Sequence, residues 1–336
     1  MPKSKVFVGL DYHQHTVQVC VLDEEGTQLV NRICRNDAEE IIETVNGLGD
    51  RVFAAIEACS GAADLADELI LQGGWSVDLA HAGYVARIKQ SPDKTDYTDA
   101  RLLADLERVG YLPKVWLAPQ EVRELRRLVR FRQQLAKERR NIKLQLRAVL
   151  RDQRVKHPAD MNPWTKAWLA WVETAEGISI ETRWIIGRQL KRLAGICEEI
   201  VAVEKHLAEV TGDDPIVQKL LSYKGVGLIT ASTMRAEIGR FDRFRTGKQL
   251  ARFCSLTPRN ASSGQRQADA GVIKAGNPEL RRVLIEAAHC LRRFDDRWHE
   301  FSERLKERGK PGNVIAAAVA NRWVRGLFHE MVQIAA

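Results

Sequence analysis

Over its first hundred or so residues the chain alternates short apolar runs with polar turns. Lys5–Asp11 and Thr16–Leu22 are rich in valine and separated by a polar turn, so both predict strands. Asp23-Glu24-Glu25-Gly26 forms a turn into a third strand, Gln28–Cys34. Asn36 or Asp37 can cap a helix running to about Asn46. Arg51–Glu57 predicts a fourth strand that ends on a carboxylate, Ala62–Gln72 a helix, and Trp75–Ala80 a fifth strand. The polar stretch Lys89–Lys94 predicts a loop, and Thr95–Val109 a helix after it. This βββαβαβα order fits a mixed sheet flanked by helices.

Beyond a linker bracketed by Pro113 and Pro119 the period changes. Leu125, Leu128, Leu135, Ile142, Leu146 and Val149 follow alternating steps of three and four, with Arg132 and Arg139 filling the gaps in a heptad seam. Residues 123–156 carry 13 Lys/Arg against three acids. Such a helix can pair with another chain and track phosphates, or it can close an intramolecular hairpin with the helix predicted near Glu181–Thr211; both readings stand. Trp164, Trp168 and Trp171 recur at helical spacing, which fits packing between helices better than base stacking. Leu220–Ala231 has the form of a helix-hairpin-helix. Gly225 and Gly227 allow its tight turn after Lys224, and the next helix offers free N–H groups to a phosphate. A plain packing corner is the alternative. Asn277 with Pro278 starts a further helix. The organisation expected is α/β plus all-α: residues 1–112, a basic helical region over 113–212, and a helical domain over 213–336.

Charge sharpens this division. Residues 1–115 hold 11 basic against 19 acidic side chains, and residues 116–336 hold 41 against 25. The basic part suits a polyanion and the acidic part suits cations. The six cysteines are scattered with no Cys-x-x-Cys pair, which argues against a zinc site or a disulfide framework. The opening apolar run, Val6–Leu10, is too short for a signal peptide or a membrane span, so a cytoplasmic protein with no membrane partner is expected.

Four acids of the first part stand out. Asp11 ends the first strand and Glu57 the fourth, while Asp96 and Asp99 lie three apart and share a helix face. Carboxylates brought together repel unless cations sit among them, and Mg²⁺ or Mn²⁺ is the natural oxygen-ligated partner. Two such ions suit phosphodiester chemistry. Lys94 can contact phosphate or merely offset the acids. His13 and His15 can ligate a metal, although alternation on a turn or strand makes them neighbours without a required role. In the second half, the loop Ser255–Gly264 is polar and rich in hydroxyls. A serine there can attack a phosphate if Arg259, Arg266 and Lys274 balance the developing charge; as a plain Ser-Ser-Gly loop it needs no such role.

Together these residues resemble the DEDD transposases of the IS-one-ten insertion-sequence family, which includes the Piv-type DNA invertases. The resemblance rests on Gly9-Leu10-Asp11, Ile56-Glu57, Lys94-Thr95-Asp96-Tyr97-Thr98-Asp99-Ala100, Gly225-Val226-Gly227, Leu256-Thr257-Pro258, Ser263-Gly264, and Lys274-Ala275-Gly276-Asn277 through Leu280-Arg281. It implies a RuvC-like, RNase H-type first domain with a metal site of Asp11, Glu57, Asp96 and Asp99. It implies Ser263 as a nucleophile forming a transient phosphoserine link to DNA, with Ser262 its rival. It further implies donor and target DNA, a noncoding guide RNA of the element, a dimer or tetramer joined partly by the coiled coil, and a bacterial protein that meets the nucleoid when active. The positions expected to meet nucleic acid are Lys94, Arg132, Arg139, Lys224, Gly225, Gly227, Arg259, Arg266, Lys274 and Arg281. Two other activities fit the same residues. A RuvC-like nuclease or junction resolvase would use water as nucleophile, and a non-catalytic nucleic-acid-binding protein would use no nucleophile.

Overall fold

A computed structural model describes residues 4–88, 95–260 and 269–335. They form two compact units, residues 1–119 and 120–336. Lys94, Ser262, Ser263 and Arg266 lie outside the described residues.

The first unit is a six-stranded mixed sheet with helices on both faces. Its elements are β1 (Lys5–Tyr12), β2 (Thr16–Leu22), β3 (Gln28–Arg35), α1 (Ala38–Val45), β4 (Arg51–Glu57), α2 (Ala62–Gly73), β5 (Ser76–Ala80), α3 (Ala82–Ile88), α4 (Asp96–Arg108) and β6 (Lys114–Val115). The strand order is β3-β2-β1-β4-β5-β6. β1, β2 and β3 form an antiparallel meander, whereas β1, β4 and β5 run parallel. This is consistent with the expected RNase H-type domain. The alternating valines explain it: Val6, Val8, Val17, Val19 and Val21 face α1 and α2 in one core. The opposite face of β2 is covered too, with Cys20 and Leu22 packing on Ala100 and Ala104 of α4. α3 and β6 were not expected. β6 is a two-residue strand in the stretch read as a linker, and it pairs with Leu79 and Ala80. Neither segment is long enough to show a period.

The second unit is helical: α5 (Gln120–Asp152), α6 (Lys166–Thr174), α7 (Ile180–Val210), α8 (Pro215–Leu221), α9 (Leu228–Ile238), α10 (Gly247–Phe253), a β7 (Pro258–Asn260) and β8 (Asp269–Val272) hairpin, α11 (Pro278–Phe294), α12 (Asp296–Glu307) and α13 (Gly312–Ala335). The heptad seam of α5 is taken up within the chain. Leu135 packs with Ile200, Val203 and Leu207 of α7, and Ile142 and Leu146 pack with Ile186 and Leu193. Hydrogen bonds link Gln145 to Gln189 and Arg132 to Glu204, so the two helices run antiparallel. Trp168, with Trp164 and Trp171, fills the core at the hairpin's end, as helix packing requires. α8 to α13 share one larger core around Phe241, Leu250, Leu284 and Val319. Among the described residues no helix is long and apolar enough to cross a membrane.

Candidate active site

The site in the first unit is built where β1 and β4 end side by side. Leu10 pairs with Ile56, so the next residues, Asp11 and Glu57, stand on adjacent parallel strands at their carboxyl ends. α4 enters from above with Asp96 in its first turn. Its start is specified locally: the Thr95 hydroxyl accepts from the Thr98 amide, and the Thr98 side chain caps in return. Its approach to the sheet is specified by Gly9, because a Cβ there would lie 1.8 Å from the Ala100 carbonyl oxygen and 2.5 Å from the Ala104 nitrogen. Only glycine lets the α4 backbone lie that close to β1. Gly61, with φ of +92°, starts α2 directly against the Tyr12 hydroxyl, where a Cβ would be 2.1 Å away.

His13 sits between two of the carboxylates, its Nε2 3.5 Å from Asp11 Oδ2 and 3.3 Å from Asp96 Oδ2. One ligand atom from each of Asp11, His13 and Asp96 lies within 4.8 Å of the others. The Asp11 side chain is 17% exposed, so this group is open on one side and sheltered on the other. Asp99 is buried on the same helix turn and Glu57 is half-buried; neither belongs to the compact three-residue group. Burial raises the Cys59 thiol above its ordinary value, the Ala62 amide opposes this, and the charges of Glu57 and Asp11 add to the rise. Both carboxylates therefore lie near one thiol, as adjacent strand ends should. Two carboxylates and an imidazole so placed form a donor set that a divalent cation fits. The alternation that left His13 without a role in the sequence did not show that the β1–β2 turn returns its ring over Asp11.

The basic positions are placed less uniformly. Arg132 is held by Glu204 at 2.6 Å and is largely buried in the α5–α7 interface, while Arg139 is half-buried. Lys224 donates to the Phe294 carbonyl at 2.9 Å. Gly225, with φ of +81°, lies against Cys290, which a Cβ would approach to 2.2 Å, so this turn is at least a tight packing corner. Gly227 is the N-cap of α9. Arg259 and Lys274 are exposed on the strand β7 and after β8. The Lys274–Asn277 segment has a structural role as well. Gly276 fits beside Ser255, whose hydroxyl donates to the Ala275 carbonyl, and Asn277 caps α11 by accepting from the Glu279 and Leu280 amides. Arg281 has a buried Nη1 with no hydrogen-bond partner. β7 and β8 pair Asn260 with Asp269, and the sequence between them, which includes Ser263, lies outside the described residues.

Two family profiles match the chain. A DEDD transposase profile, described as a transposase, matches residues 8–154, and a profile described as "Transposase IS116/IS110/IS902 family" matches residues 217–303. The chain is 26% identical to the transposase for insertion sequence element IS1328 of Yersinia enterocolitica, across 95% of this chain and 94% of that one. It is 25% identical to the transposase for insertion sequence element IS1111A of Coxiella burnetii, across 87% and 79%. It is 28% identical to a probable family 20 transposase of Pseudomonas aeruginosa, across 82% and 82%.

Proposed function

The chain belongs to the IS116/IS110/IS902 family of transposases, and from that membership we propose that it cuts and rejoins DNA through a serine nucleophile assisted by a carboxylate-bound divalent metal. The observation that carries this reading is the convergence of Asp11, His13 and Asp96 at the carboxyl end of β1. These residues would hold the ion, with Glu57 on the next strand and Asp99 in the same first turn of α4 as Asp96 completing the set. When bound, Mg²⁺ or Mn²⁺ stabilises charge on the phosphate oxygens. Glycine at position 9 lets α4 lie against β1 at Ala100 and Ala104, just beyond the turn that carries the carboxylates, so that they stay placed without rearrangement.

Ser263 is the proposed attacking group. Its Oγ bonds to phosphorus as it loses its proton to a base. The bond from phosphorus to one sugar oxygen breaks, and that oxygen takes up a proton. Rejoining runs in reverse, a hydroxyl of the new strand displacing the serine. Arg259, Arg266 and Lys274 offset charge around this step. Donor and target DNA, an element-encoded guide RNA and a multimer of this chain complete the proposal. Its working division is a metal-binding part, a basic helical hairpin and a serine-bearing helical part.

The test is adduct trapping. Protein, end-labelled DNA from the junction of its own element, RNA transcribed from that element and Mg²⁺ are combined and run on a denaturing gel. A shifted covalent band that is lost in Ser263→Ala and Asp11→Asn, and kept in Ser262→Ala, is expected. Cleavage without an adduct, unchanged in Ser263→Ala, would replace the serine by water and leave a metal nuclease.

A further inference from the structure

The second unit contains a cavity of about 1900 Å³, bordered by α10, α11, α13 and both strands of the β7–β8 hairpin. That is well above the roughly 300–1,000 Å³ of small-molecule sites, so a polymer is the better match. Arg245, Lys248, Arg281, Lys310, Arg322 and Arg325 line it. Among the described residues the one acid in the lining, Glu286, is already engaged by Arg282 at 2.8 and 2.9 Å. Among the described residues none of the six cations has a carboxylate within ion-pair distance. Arg281 has its buried Nη1 unpartnered, a donor whose desolvation is offset by nothing else described in the fold. The wall is tightly specified. Gly247 at the start of α10 meets α13 backbone to backbone, where a Cβ would lie 2.5 Å from the Arg325 carbonyl oxygen.

The lining is not only cationic. Ile285, Phe301, Val314 and Phe328 contribute apolar surface, and the Arg322 guanidinium lies 5.0 Å from the centre of the Phe301 ring. A duplex keeps its bases stacked inside and would leave that surface unmet. An unpaired strand brings phosphates to the cations and base faces to the apolar and guanidinium planes. Pro258, Gly271 and Val272 of the hairpin also line the cavity, so a strand lying there runs past the root of the segment that carries Ser263.

We propose that this groove seats an unpaired stretch of the DNA strand being cut or joined, several nucleotides long. The choice of DNA rests on the serine reading, because the hairpin that borders the groove leads into the proposed nucleophile. The groove itself rests on its charge, size and lining.

The experiment uses the full chain and a fluorescent 12-nucleotide single-stranded DNA, followed by anisotropy over a salt series, with the double variant Arg322→Gln/Arg325→Gln. Both side chains are exposed, so folding should hold and circular dichroism checks it. Binding is expected to weaken tenfold or more in the variant, and the slope of log affinity against log salt to fall by about 1.4 for two lost phosphate contacts on a single strand. In parallel, acetylation of exposed lysines is read by mass spectrometry. The DNA should protect Lys248 and Lys310 but not Lys166 on α6 or Lys191 on α7. Unchanged affinity in the variant with Lys248 and Lys310 still reactive overturns the proposal. Protection by RNA of the same sequence that the DNA cannot displace overturns the assignment to DNA. Ser263→Ala should bind the strand as the wild type does, which keeps binding apart from chemistry; wild-type protein that protects Lys248 and Lys310 yet forms no adduct would sink the serine and leave the groove.

Discussion

Replacing Gly9 by alanine tests how the candidate metal site is held together. The added Cβ would meet the Ala100 carbonyl oxygen at 1.8 Å and the Ala104 nitrogen at 2.5 Å, where ordinary contact begins at 3.4 Å. Both obstacles are α4 backbone and cannot swing aside as a side chain could, so the helix must retreat from β1. Overpacking typically costs about 1–3 kcal/mol. A clash with backbone belongs at the top of that range, and about 3 kcal/mol is roughly a hundredfold in the local folding equilibrium. Asp96 and Asp99 ride on the retreating turn, and a site tolerates only about 0.5 Å of misplacement. Amide exchange of the full chain, read by mass spectrometry, should show β1 and α4 opening faster, and Mn²⁺ titration should show weakened binding. The control is Gly187→Ala in the exposed interior of α7, where a Cβ meets nothing within 4 Å. There alanine should stabilise the helix by about 0.5–1 kcal/mol. Native exchange rates in β1 and α4 together with undiminished Mn²⁺ binding in Gly9→Ala would refute the argument that this glycine sets the site.

His13→Gln should weaken Mn²⁺ binding about tenfold and remove a nitrogen hyperfine coupling from the spin-echo spectrum of the bound ion; a spectrum with no such coupling in the wild type would place the imidazole outside the ligand set. Glu237 is buried, with Arg130 at 3.0 Å and Arg126 at 3.6 Å. Glu237→Ala strands the half-buried Arg126 and should cost about 3 kcal/mol in urea unfolding of the second unit, whereas Arg130→Ala, removing an exposed guanidinium, should cost about 1 kcal/mol; equal losses would contradict this. The Tyr223 hydroxyl donates to Glu330 Oε2 at 2.6 Å, and this bond, opposed by burial and aided by Lys219, depresses the Glu330 carboxyl below its ordinary 4.5. A depressed carboxyl contributes stability above its unfolded value and loses it as pH falls through the folded one. Tyr223→Phe should therefore lower the melting temperature at pH 7 and lose that effect on acidification below about pH 4; a pH-independent difference would mean the bond is immaterial.

Strands β1 to β5 and helix α4 lie within a residue or so of their sequence-based bounds, because each is stated by a local period or cap. Asp37 and Thr95 cap the helices that follow them. The strand-end positions of Asp11 and Glu57 were legible for the same reason. α3 and β6 were not, since seven and two residues carry no period. The heptad seam of α5 was legible as a seam, but its partner was not; α7 of the same chain occupies it, and Arg132 is spent on Glu204 within that hairpin.

The sequence by itself determined the alternating strands, the capped helices, the acidic first part and basic remainder, and the set of acids worth watching. Those follow from neighbours along the chain. The tertiary structure alone decided that His13 stands between Asp11 and Asp96, and that Gly9 admits α4. It also gathered Arg245 from the bend before α10, Arg281 from α11 and Arg325 from α13 around one groove. The physical reason is the same in each case: these contacts join residues far apart in the chain. They exist only after burial of the valine and leucine faces has set which backbones lie together.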